Sequence, residues 1–131
     1  MSLALEISRI ENVAVVACCG RIVFGEETTE FCGTVRGLLP EGPHVILNLQ
    51  GIEYIDSGGL GSIVGLLLAA RRLNGDLGIC QPSSRVENLL RITKLWSVIP
   101  VFPTVEDGVA EFRKSKTAPM FKPQGTFARS A

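Results

Sequence analysis

The chain has a single histidine, no net charge and no C-x-x-C pair, and each absence removes a class of function. Its 13 Lys and Arg are balanced by 13 Asp and Glu, so no overall charge draws it to nucleic acid. His44 stands beside Pro43 in a turn, and Cys18, Cys19, Cys32 and Cys80 lack the spacing of zinc ligands, so no metal site is expected. Three of these cysteines lie in apolar, strand-like runs, and the set reads as buried free thiols. With no secretory signal at the N-terminus, they point to a reducing cytoplasm. The longest apolar run, Ile63 to Ala70, is too short to cross a bilayer and stops at Arg71-Arg72, so no membrane insertion is expected.

What is present suits one folded domain. A chain of 131 residues, 46% of them apolar, can bury roughly two thirds of its unfolded surface. The even charge balance hides an asymmetry: residues 1–112 carry eight basic and thirteen acidic residues, a net charge of −5, whereas residues 113–131 carry five basic and no acidic ones. The expected organisation is a domain over residues 1–116 followed by a basic, solvated tail over 117–131.

Patterning gives alternating elements. Ala4 to Arg9 and Val13 to Cys19 read as strands joined by a tight turn at Glu11-Asn12. Glu26 to Leu39 fits a helix with Phe31, Val35, Leu38 and Leu39 at helical spacing, stopped by Pro40-Glu41-Gly42-Pro43. Val45 to Leu49 is continuous and apolar, as in a strand covered on both faces. Leu60, Ile63, Val64, Leu67 and Leu68 form an apolar helix face that ends at Asn74-Gly75. A buried strand over Leu77 to Cys80 precedes a helix capped by Ser83 and ending near Thr93. Val98 to Phe102 reads as an edge strand interrupted by Pro100, and Thr104 caps a last helix over Val105 to Ser115. The sum is an α/β fold: a mixed sheet of about five strands with an N-terminal antiparallel hairpin, right-handed parallel crossovers and about four helices.

Between the third strand and the second helix lies Asp56-Ser57-Gly58-Gly59-Leu60-Gly61. Ser57 is expected to occupy or adjoin the helix N-cap, at the carboxyl end of a strand, where open α/β sheets place their sites. Gly58 and Gly59 remove side-chain bulk beside it, opening the loop to another molecule. The same residue types also serve any strand-to-helix turn as caps. On the helix, the side away from the core holds Gly61, Ser62, Gly65, Leu66 and Ala69, small and apolar for a surface in water and so a candidate docking face.

Catalytic readings fit these residues poorly. Ile55 replaces the first glycine of G-x-S-x-G, and His44 precedes the serine instead of following it. No Lys follows Gly61 as a phosphate-binding P-loop requires, and the glycine cluster comes too late for a dinucleotide fingerprint. No cofactor is expected.

The motif resembles the signature of the STAS domain family, of the anti-sigma factor antagonist type, and the likeness runs from about Leu3 to Phe112. Asn12 to Val16 leading to Gly20-Arg21-Ile22, Val45 to Leu49 with Ile52 and Ile55-Asp56-Ser57, Gly75 to Cys80, and Pro82 to Val86 with Leu89-Leu90 are similar in order and spacing to the family pattern. The resemblance implies a cytoplasmic, non-catalytic bacterial regulator. Unphosphorylated, it would bind an anti-sigma factor serine kinase and so free a sigma factor; phosphorylation of Ser57 would release it, and a phosphatase would reset it. Asp56, Ser57, Gly58, Gly59, Gly61, Ser62, Gly65 and Leu66 would then form the partner surface. An added charge of about −1.5 to −2 on Ser57, costing the interface ~2 to 4 kcal/mol, would lower affinity roughly 30-fold to 1000-fold. The sequence departs from the pattern at Gly58, where many members carry a second hydroxyl, and at Gly25-Glu26-Glu27, where many antagonists have a polar Asp or His. Two alternatives share the residues: a STAS module of a stress-signalling complex or lipid-transporter accessory without serine phosphorylation, and a small-ligand carrier using the motif as an anion site.

Overall fold

A computed structural model describes residues 3–116, so the tail expected over 117–131 lies outside the described residues. Strands β1 (Leu3–Ile10) and β2 (Val13–Ile22) are joined by Glu11 and Asn12, whose φ values of 53° and 73° suit a two-residue hairpin turn. There follow α1 (Glu26–Leu38), β3 (His44–Ile55), α2 (Ser57–Arg72), β4 (Asp76–Cys80), α3 (Ser84–Ile92), β5 (Val101–Phe102) and α4 (Val105–Lys116). Single 3-10 turns lie at Leu39–Glu41 and Leu95–Ser97.

The five strands lie in the order β1-β2-β3-β4-β5, with β1 antiparallel to β2 and every other pair parallel. Because the order never reverses, crossovers of one hand leave their helices on one face. There, Val16, Leu47, Leu49, Leu77 and Ile79 of the sheet pack with Phe31 and Val35 of α1, Ile63 and Leu67 of α2, and Val86 and Leu90 of α3. The opposite face is covered by α4, whose Val109 and Phe112 meet Val13, Val15, Ile46 and Cys80. This double cover is why β3 begins as an unbroken apolar run.

Three expectations change. Strand β3 extends six residues past Leu49, because Gly51 to Ile55 keep pairing with Cys19 to Ile22 across register shifts in β2, with Ile52 and Ile55 still buried. The expected strand over Val98 to Phe102 is cut to two residues, since Lys94 turns the chain at a φ of 64° into a 3-10 turn and Pro100 has no N–H for a ladder. Of the cysteines, Cys18 and Cys80 are buried; Cys19 is exposed, because it follows Cys18 on β2 and neighbouring strand residues face opposite ways, and Cys32, on α1, is half-buried.

Candidate functional site

The long β3 carries the chain past the end of β4 and delivers Asp56 to the start of α2. Asp56 is extended, with φ −95° and ψ −178°, and it is the N-cap of the helix. Its Oδ1 accepts the N–H of Gly59 at 2.8 Å, and its backbone carbonyl accepts that of Leu60 at 2.9 Å. The same carboxylate accepts the N–H of Phe24, in the loop between β2 and α1, at 3.1 Å to each oxygen. Its own N–H donates to the carbonyl of Ile22 at 3.2 Å. One residue thus ties the end of β2, through its backbone N–H, to the following loop and the start of α2, through its carboxylate. The N–H bonds, that of Gly59 first and that of Phe24 next, hold the Asp56 carboxyl below its ordinary 3.8.

Ser57 therefore adjoins the N-cap and does not fill it. It is the first residue of α2, exposed, and its hydroxyl makes no hydrogen bond to any described residue. Capping falls to Asp56, and the serine oxygen is left over.

The glycines divide by what surrounds them. A Cβ on Gly59 would stand 2.0 Å from the carbonyl oxygen of Ile22, so this buried glycine lets α2 meet β2 and opens nothing to solvent. A Cβ on Gly58 would come within 2.8 Å of the Cβ of Phe24, so its space is filled by that residue. A Cβ on Gly61 would meet nothing within 4 Å, and one on Gly65 would meet only the end of the Arg36 side chain at 3.8 Å.

The docking face on α2 is corrected in two places. Leu66 is fully buried and Ala69 nearly so, whereas Leu68, assigned to the core by periodicity, is 50% exposed and Val64 is half-buried. From Ser57 to Ala70 the helix has no charged residue, so spacing alone cannot orient it; packing against β3, β4 and α1 does. Ser57, Gly61 and Leu68 share the outward face, with Gly65 at its margin. The Ser62 hydroxyl is spent inside the helix, donating to the carbonyl of Gly58 at 3.0 Å.

Other chemistry lies far from this point. His44 opens β3, with its ring centroid 5.4 Å from that of Phe112 on α4, so the strand separates it from Ser57 by roughly 35 Å. Among the described residues no group of His, Cys, Asp and Glu is placed to hold a metal ion, and no helix is long and apolar enough to cross a membrane. A cleft of about 190 Å³ beside Tyr54, Leu89 and Ile92 is smaller than a small-molecule site of about 300 Å³ or more. Phe24 also joins Asp56 here, and its one signal in the sequence is an aromatic that fits neither the strand nor the helix periodicity, just before Gly25.

Residues 4–108 match the model of the STAS domain. An anti-sigma F factor antagonist of Paenibacillus polymyxa is 24% identical over 117 residues, covering 85% of this chain and 96% of that protein. The crystal structure of an anti-sigma factor antagonist from Mycobacterium paratuberculosis superposes with a TM-score of 0.69 at 20% identity, over 86% of this chain and 95% of that one. A sulfate transporter family protein from Wolinella succinogenes superposes with a TM-score of 0.67 at 15% identity, over 83% and 91%. The fold alone therefore occurs in more than one kind of protein.

Proposed function

The chain belongs to the STAS domain family, and on that premise we propose that it is an anti-sigma factor antagonist whose partner is an anti-sigma factor serine kinase. The observation that carries this reading is the exposed Ser57 hydroxyl, unbonded to described residues, next to an aspartate that has taken over the capping role. A serine needed only to start α2 would spend its oxygen on the helix.

In the proposed reaction the Ser57 oxygen attacks the γ-phosphorus of ATP held by the kinase. The bond to the β-phosphate bridging oxygen breaks, ADP leaves, and the hydroxyl proton passes to a base of the kinase. The antagonist brings no catalytic group. The product carries a phosphate beside the Asp56 carboxylate, which is committed to Gly59 and Phe24 and cannot turn away without uncapping α2. Two anionic groups then face a surface that formerly offered one, and a partner fitted to the bare hydroxyl is repelled. The outward face of α2 beyond Ser57, with Gly61 open and Leu68 exposed, supplies the uncharged ground on which the kinase rests.

The aspartate also weighs against a small-anion carrier. Its carboxylate already takes the position at the helix start that a ligand phosphate would need. Incubating the protein with ATP and each purified serine-kinase-type anti-sigma factor of the source genome, then measuring intact mass, tests the proposal. One phosphate added to the wild type and none to Ser57→Ala is the expected result. An adduct that persists in Ser57→Ala, or none with any kinase, contradicts it.

A further inference from the structure

Phe24 is 84% exposed, more than any other large apolar side chain among the described residues, yet its backbone is held. Its N–H donates to both oxygens of Asp56, the residue before Ser57. Just beyond it, Gly25 turns the chain at a φ of 148° to cap α1, and the Thr28 hydroxyl of that helix donates back to the carbonyl of Val23. The Cα, Cβ and Cδ1 atoms of Phe24 lie 3.3, 2.8 and 3.3 Å from where a Cβ on Gly58 would stand. Position 58 is thus bare because Phe24 covers it, and covering it leaves the ring in water beside Ser57.

An aromatic ring on a fixed backbone is the form of an interface anchor: it offers apolar area and loses little conformational freedom when covered. We propose that Phe24 is the apolar anchor of the partner surface, its ring entering an apolar pocket of the kinase next to the cleft that receives Ser57, and that the Phe24–Gly58 pair selects which kinase fits. The proposal rests on the reading of Ser57 as the substrate of an anti-sigma factor kinase. The occupant follows from contact: Phe24 touches the residue after Ser57, so a protein that closes on the serine hydroxyl closes on the ring. It also gives the phosphate a lever, since a charge added at Ser57 would stand beside a pocket that has to exclude water.

The test is titration calorimetry with the purified serine-kinase-type anti-sigma factors of the source genome, using wild type, Phe24→Ala, Gly58→Ala, the double variant, and Trp96→Ala as a control for an exposed aromatic elsewhere. Melting curves confirm that each variant is folded. Phe24→Ala is expected to bind the cognate kinase at least 30-fold more weakly and to raise the KM for Ser57 phosphorylation with kcat nearly unchanged, while Trp96→Ala matches wild type. Gly58→Ala, which displaces Phe24, should weaken binding alone but add little to Phe24→Ala. Binding of Phe24→Ala within threefold of wild type overturns the anchor and leaves the Ser57 reading intact. Failure of every kinase to bind or phosphorylate the wild type overturns the Ser57 reading, and the anchor with it.

Discussion

The carboxylate of Asp56 lies 3.1 Å, through both oxygens, from the backbone nitrogen of Phe24, 32 residues earlier in the chain. The same carboxylate caps α2 through Gly59. The loop after β2 and the start of α2 are therefore one rigid unit, and Ser57 stands on it without contributing to it. Capping is carried by Asp56, which leaves the neighbouring serine hydroxyl for the phosphoryl acceptance proposed above.

Stability should follow Asp56 and ignore the hydroxyl. Ser57→Ala is expected to change unfolding free energy by less than about 0.5 kcal/mol, while Asp56→Ala lowers the melting temperature and speeds hydrogen exchange at the amides of Phe24 and Gly59. Asp56 has a depressed pKa in the folded state, so its contribution is fully present above 3.8 and is lost as pH falls through the lower folded value. Asp56→Asn keeps a cap but removes this part of the acid dependence; denaturant melts from pH 6 down to pH 2 would show it.

Two glycines one half-turn apart should behave in opposite ways. Gly59→Ala forces a Cβ against the Ile22 carbonyl and should destabilise by roughly 1–3 kcal/mol. Gly61→Ala enters open space and should stabilise α2 by up to about 1 kcal/mol. Gly61→Glu, equally free of clashes within the domain, should melt close to wild type yet bind the kinase at least tenfold more weakly, because it places a charge one turn from Ser57. Urea melts and titration against the kinase separate these effects.

Thiol reactivity should rank the cysteines by burial. Burial pushes the Cys18 thiol up to about 12 and the Cys80 thiol to about 11, so neither forms appreciable thiolate near neutral pH. Cys19 is exposed. Brief treatment of the native protein with iodoacetamide at pH 8, followed by peptide mass mapping, should modify Cys19 first and leave Cys18 and Cys80 unmodified until the protein is unfolded.

Much of the fold is legible in the sequence because local signals agree with one another. Positive-φ turn residues at Glu11-Asn12, the cap at Ser83 and the apolar run opening β3 each point to the element that forms. The orientation of α2 is not legible. Leu66 and Leu68 are the same residue type in an uncharged helix, and only the presence of α1 and the sheet buries the first and exposes the second. Leu66→Ala should accordingly cost roughly 2–5 kcal/mol, and Leu68→Ala less than about 1 kcal/mol, in the same urea melt. The candidate site is half legible: Asp56 and Ser57 can be read from the motif, but Phe24 joins them only through pairing across β2 and β3, and the role of Gly59 depends on a carbonyl 37 positions away.

The most direct measurement is the affinity of one purified anti-sigma factor kinase for two forms of this protein, unmodified and phosphorylated at Ser57, at the same ionic strength. The unmodified form should bind, and the phosphorylated form should bind 30-fold to 1000-fold more weakly with its melting temperature little changed. Equal affinity of the two forms, or tighter binding of the phosphorylated one, would contradict a switch at Ser57.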